Sequence, residues 1–273
     1  MSTWIAAGLL GVVLVVCHDA LSDAWRLNLT AIQALRLVRL GTEAPPGDVG
    51  VLVSHPPVAG PTVERGLYLQ ARIHQATGHD DAAHDELTAA LQHDPTDAVA
   101  AFELGMVEQQ NGQTAAALQA WRLARAGPYF GRLGSDQLQA GALDAALPLL
   151  RIAAEVDPSS RTFVDLGAAQ DEAMDWSAAL QSYRAALVAD PASTQAMERL
   201  AIDLMDHAAQ PEAAATLLEQ VVARAPHQSV WSYLRLGTLA RERNDMEAAR
   251  AWYLAAAAAF PERAEPRLAL ATL

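Results

Sequence analysis

The feature that most constrains this chain is a period. Counting back from Pro261 gives Ala256 at five residues, Tyr253 at eight, Ala249 at twelve, Gly237 at twenty-four and Leu236 at twenty-five. The same steps from Pro191 reach Ala186, Tyr183, Ala179, Gly167 and Leu166, and from Pro158 they reach Ala153, Leu150, Ala146, Gly134 and Leu133. From Pro95 they reach Ala90, Leu87 and Ala83, with Ala71 and Gln70 in the glycine and leucine places. A second unit keeps Leu104, Gly105, Ala117, Trp121 and Ala124, with Pro128 one residue early. A fifth, with one residue inserted, keeps Leu200, Ala201, Ala214, Leu218, Val221 and Pro226. Six units of about 34 residues imply a stacked array, in which each unit buries its apolar face on its neighbours.

The units read as helix pairs. Alanine and leucine dominate a chain that is 52% apolar but only 5% aromatic, and both favour helix. Gly105, Gly134, Gly167 and Gly237 remove a side chain where two helices cross. Ala83, Ala117, Ala146, Ala179 and Ala249 do the same on the second helix, while Trp121, Tyr183 and Tyr253 fill the adjoining groove. Each closing proline ends a second helix, because it forces the residue before it out of the α region. The sequence therefore predicts an all-α array of six helix pairs from about residue 63, followed by a single helix. The third unit departs from the pattern: "YFGRLGSDQLQ" predicts a short, glycine-broken first helix with a kink or widened groove.

The Leu-Gly pair, middle alanine, following aromatic or leucine, next alanine and closing proline resemble the tetratricopeptide repeat pattern over residues 63 to 273. The resemblance implies antiparallel helix pairs stacked into a right-handed superhelical solenoid, of the bacterial membrane-anchored type. It also implies that first helices line a concave binding face. On that face fall Arg65, Tyr68, Arg72, Phe102, Met106, Arg161, Arg199, Ile202, Trp231, Leu234, Arg235 and Arg241. Arginines alternating with large apolar groups suit an extended peptide or a partner helix bearing carboxylates. The lysine-and-asparagine clamp of the chaperone-docking members is absent.

Ahead of the array, "WIAAGLLGVVLVVC" is an apolar run of fourteen residues, about 21 Å long as helix, against a hydrocarbon core of roughly 30 Å. Extended to Leu21 and flanked by Trp4 and Trp25, residues 1–21 predict a single-pass transmembrane anchor helix that is retained. The rivals are a secretory signal, which lacks here a basic leader and a small-x-small cleavage site, and a helix buried on a protein partner. The single cysteine, Cys17, excludes a disulfide framework within the chain. It reads as an apolar residue of the anchor, with lipidation as the alternative. Residues 22–41 predict an amphipathic helix, and the proline- and glycine-rich residues 42–62 a linker. The side of the membrane stays open: Arg26, Arg36 and Arg39 favour the cytoplasm, and the habit implied by the resemblance favours the periplasm.

The net charge of −13 argues against coating nucleic acid, and all 19 basic residues are arginine. His74, His79, His84 and His93 are spaced five, five and nine apart, which does not suit metal ligation from a helix. Asp171-Glu172 and the set Asp203, Asp206 and His207 read as solvated faces. No phosphate-binding glycine loop or nucleophile motif is present, so neither enzyme, cofactor nor metal is expected. The expectation is a non-enzymatic protein–protein scaffold that assembles or stabilises a membrane-bound or cell-envelope complex. The alternatives are a self-assembling structural protein, by head-to-tail contact of its ends, and a periplasmic assembly chaperone for cytochrome maturation, pilus or secretion machinery.

Overall fold

The computed structural model describes residues 63–273; the anchor, amphipathic-helix and linker segments expected over residues 1–62 lie outside them. Thirteen helices follow one another in the described residues. Four belong to a first compact body that ends at Ala126: α1 (Val63–Ala76), α2 (Asp80–His93), α3 (Ala98–Gln110) and α4 (Thr114–Leu123). Nine form a second body from Gly127 onward: α5 (Gly127–Gln139), α6 (Leu143–Val156), α7 (Ser160–Glu172), α8 (Trp176–Ala189), α9 (Thr194–Asp206), α10 (Pro211–Arg224), α11 (Val230–Glu242), α12 (Met246–Ala259) and α13 (Glu265–Ala271). These are the six pairs and single final helix expected from the period. No helix of the described residues is long and apolar enough to cross a membrane.

The period is built on close crossings inside each pair. A Cβ added at Gly105 would lie 2.3 Å from Trp121 Nε1, and one at Gly134 would lie 2.7 Å from Leu150 Cγ. At Gly167 and Gly237 it would meet the Tyr183 and Tyr253 rings, at 2.6 Å and 2.2 Å. Each glycine therefore receives the large residue sixteen positions later. Trp121, Leu150, Tyr183 and Tyr253 are almost fully buried as a result. Between pairs, in the second body, α6 packs on α7, α8 on α9 and α10 on α11, while first helices also touch one another from α5 to α7 to α9. The largest core in this body joins Tyr183 and Leu200 to Leu218, Tyr233 and Leu236.

Prolines act through their predecessors, as expected. Asp94, Asp157, Asp190, Ala225 and Phe260 each precede a closing proline and have φ of −128°, −128°, −141°, −137° and −130°. The second unit is the exception: Pro128 lies within the first turn of α5, and α4 stops after ten residues, with Arg125 left-handed at φ 52°. The third unit corrects the sequence expectation. Its first helix, α5, runs an unbroken 13 residues, because Gly134 is a packing position and Gly131 faces only Ala153 at 3.8 Å. Tertiary packing of the apolar face, more than propensity, sustains such a helix.

Every turn within a pair uses one left-handed residue: Gly78, Gly112, Gly141, Met174, Ala209 and Asn244, with φ between 50° and 76°. Glycine adopts this region freely, whereas a side chain costs roughly 1–2 kcal/mol there. Met174→Gly and Ala209→Gly are expected to raise stability by roughly 1 kcal/mol each, and Asn244→Gly by less, since asparagine tolerates this region. Denaturant unfolding of the three variants checks the order. An Asn244→Gly gain exceeding that of Met174→Gly would contradict the strain argument.

Candidate partner-binding site

Four of the residues expected on the first-helix face line one recess of about 330 Å³ between α9 and α11. Arg199 and Ile202 come from α9, Trp231 and Arg235 from α11. Position follows from the repeat: residues 199 and 202, and 231 and 235, are a helical turn apart, so each pair shares a face. Leu218 of α10, 1% exposed, contributes apolar surface to the lining. Trp231 remains 58% exposed, which is unusual for the largest apolar side chain and leaves its ring available to a partner.

The polar lining is partly committed already. Ser232 donates to Glu198 Oε1 at 2.8 Å, linking equivalent positions of adjacent repeats. Arg235 reaches both carboxylate oxygens of Asp206 at 3.3 Å, so a partner carboxylate at Arg235 would compete with a bidentate pair. Arg199 is exposed. Arg161, with 89% of its side chain exposed, makes only a 3.7 Å contact with Asp165 one turn on. Arg241 is exposed on the last turn of α11. Leu234 does not face the recess; half-buried, it packs against the apolar cores on both sides of α11.

In the first body the expected residues occupy α1 and α3. Arg72 Nη1 bonds Glu103 Oε2 at 3.0 Å across these two helices. Tyr68 packs against the core of Ala71, Leu87 and Val107, and burial, followed by the Glu103 charge, raises the pKa of its hydroxyl. Phe102 and Met106 are half-buried, and the Phe102 carbonyl accepts from Trp121 Nε1 at 3.2 Å. Arg65 lies on α1, with its side chain outside the described residues.

The histidines hold turns and neighbouring helices. His74, 8% exposed, lies 3.4 Å from Glu86 through Nε2. Burial pushes Glu86 up to about 7 and lowers His74, so each resists charging where the other would welcome it. His79 meets Thr77 through Nδ1 at 2.9 Å, and His84 bridges Asp85 and Glu108 at 3.3 Å and 3.2 Å. His93 is exposed near the end of α2. Among the described residues no three His, Cys, Asp or Glu side chains gather as metal ligands.

One cluster corrects the sequence reading. Asp203 is not on a solvated face: it is 3% exposed. It sits on the buried stripe of α9 beside Leu200 and Leu204, near Asp171 of α7. The Tyr183 hydroxyl donates to Asp171 Oδ2 at 2.5 Å. Asp171 Oδ1 and Asp203 Oδ2 are buried without a donor. Burial first, then the Asp171 charge, pushes Asp203 up to about 7. The remaining members of the expected solvated sets behave differently. Asp206 pairs with Arg235, and the His207 ring stacks on Trp176 at 3.8 Å and 9°.

Residues 132–194 and 199–264 match the family described as tetratricopeptide repeat. Among solved structures, MamA is 15% identical over 71% of this chain and 96% of its own, with a TM-score of 0.44. PilW, a type IV pilus biogenesis factor, is 17% identical over 77% and 100%, at 0.46. PilF of Pseudomonas aeruginosa is 19% identical over 77% and 97%, also at 0.46. No curated protein matches the chain. Over residues 132–194 and 199–264, just under half of its length, the chain is a tetratricopeptide repeat array.

Proposed function

We propose that the chain is a non-enzymatic scaffold that holds a partner protein in the recess between α9 and α11. The observation that carries this is Trp231, more than half exposed beside the buried Leu218, with the Arg199 guanidinium on the opposite helix of the same recess. An apolar side chain of a partner would cover the Trp231 ring while a neighbouring carboxylate meets Arg199. Hot spots of protein interfaces concentrate in tryptophan, tyrosine and arginine. The negative charge of the chain as a whole disfavours nucleic acid in this role. Arg161 extends the surface onto the neighbouring first helix α7 and Arg241 along α11 itself, and Tyr68, Arg72, Phe102 and Met106 offer a separate surface in the first body.

The apolar run at residues 4–17, within the anchor expected over residues 1–21, supports a finer reading, in which a membrane anchor confines the array and raises its effective concentration for membrane-bound partners. The complex assembled would then be one of the membrane or cell envelope.

Affinity capture of partners with the full chain tests the reading. Trp231→Ala and Arg199→Glu are expected to lose the captured partner, each costing about 2 kcal/mol or more of binding, while Arg184→Glu on the exposed face of α8 retains it. Release by Arg184→Glu with retention by both recess variants would assign binding to the opposite face.

A further inference from the structure

Behind the recess lies a charged group that its own lining does not include. Asp203 is one helical turn from Arg199 on the same face of α9, buried where the Arg199 side chain is exposed. Its neighbour from α7 is Asp171, whose second oxygen already accepts from the Tyr183 hydroxyl of α8. The two remaining inward oxygens, Asp171 Oδ1 and Asp203 Oδ2, have no donor. Two carboxylates so placed cannot both ionise cheaply, and one proton held between them turns repulsion into a hydrogen bond.

The other groups around the pair are few. Gln170 and Ser182, from α7 and α8, bond each other at 2.6 Å and carry no charge. Asp206 adds repulsion from α9, although Arg235 of α11 neutralises much of it. The buried residues of α10 are the apolar Ala214, Leu218, Val221 and Val222. The Arg199 guanidinium is therefore the cation that favours the ionised form of Asp203. It has two competing uses: to balance the buried pair behind it, or to meet a carboxylate in front of it.

We infer that the Asp171–Asp203 pair regulates the recess, which binds acidic partner segments more tightly while the pair holds its proton and less tightly once that proton is lost. This rests on the reading of the recess as the partner site. Linkage makes the effect reciprocal, so an acidic ligand on Arg199 also tightens proton binding by the pair. Burial and the Asp171 charge put the switch near neutrality, at about 7.

The experiment is an NMR titration of the full chain with the peptide acetyl-Glu-Leu-Glu-Leu-Glu-amide at about pH 6 and about pH 8, between which its glutamates stay ionised. The Trp231 indole N–H and Arg199 Nε–H report occupancy. The wild type is expected to bind about five-fold more tightly at the lower pH, the low end of ordinary coupling. Asp203→Asn is expected to keep the tighter affinity at both values, and Arg199→Gln to bind weakly at both. Equal wild-type affinity at the two pH values, with the recess signals shifting, would overturn the regulation and leave the recess reading intact. A pH dependence that survives in Asp203→Asn, which retains every histidine, would place the switch elsewhere and overturn it too. No shift of either signal at either pH would remove the recess reading and the inference with it.

Discussion

Gly237→Leu is expected to destabilise the α11–α12 pair by about 3 kcal/mol, the upper end for overpacking a filled core. Even the first added carbon would lie 2.2 Å, 2.6 Å and 2.8 Å from three atoms of the Tyr253 ring. That ring is 2% exposed, so it has little room to give. Gly167→Leu, against Tyr183, is expected to behave alike. The better helix propensity of leucine, worth just under 1 kcal/mol over glycine, does not offset the clash. Tyr253→Ala alone would leave a cavity and cost about 3–5 kcal/mol. The double variant Gly237→Leu with Tyr253→Ala is expected to cost clearly less than the sum, because the leucine fills space the ring has left. Hydrogen exchange over α11 and α12 measures all three. Additive costs would show that the glycine and the ring do not share the crossing.

Asp203→Asn is expected to raise stability at alkaline pH and to leave it nearly unchanged below about pH 4. The folded chain holds the Asp203 proton up to about 7, whereas the ordinary value is 3.8. The group thus stabilises the fold fully below its unfolded value, and that contribution is lost as pH rises towards 7. At about 1.4 kcal/mol per pH unit, the gap sets an upper limit of about 4 kcal/mol. The value of about 7 already reflects the relief supplied by Arg199, so the gain at about pH 8 approaches this limit. In the first body Glu86, also pushed up to about 7 by burial, acts with the same sign. His74, lowered by burial, acts with the opposite one, losing stability as pH falls through its folded value. The difference between Asp203→Asn and wild type isolates the one group. A difference that does not change between about pH 4 and pH 8 would contradict the burial of the carboxyl pair.

Much of the array was legible because its determinants are local and repeated. Glycines sixteen residues ahead of a large side chain, and prolines that drive the residue before them into extended backbone, can be read from spacing alone. The 34-residue period also marks the left-handed turn position, where Gly78, Gly112 and Gly141 are visible signals and Met174, Ala209 and Asn244 are not. Expectation failed at α5, where the sequence reading makes Gly134 a crossing residue and yet has the glycines break the helix; Gly131 meets only Ala153 and interrupts nothing.

The face was half legible. First-helix positions could be listed from the pattern, but their partners lie in the next repeat, about 30 residues away. The Arg235–Asp206 and Arg72–Glu103 pairs depend on stacking geometry that no single unit contains. Asp171 and Asp203 were missed for the same reason, since each looks solvated within its own helix. One signal was available: Asp203 shares the stripe of Leu200 and Leu204, and a carboxylate on an apolar stripe implies a buried proton or partner.

The most direct test of the central claim is site-specific photo-crosslinking in the native cell extract. A benzophenone amino acid is placed at position 231, at position 202 of the same recess, and at position 184 on the exposed face of α8. Adducts of one protein from positions 231 and 202, competed by unlabelled full chain and absent from position 184, are the predicted result. That protein crosslinking from position 184 and from neither recess position would contradict the assignment of the binding face.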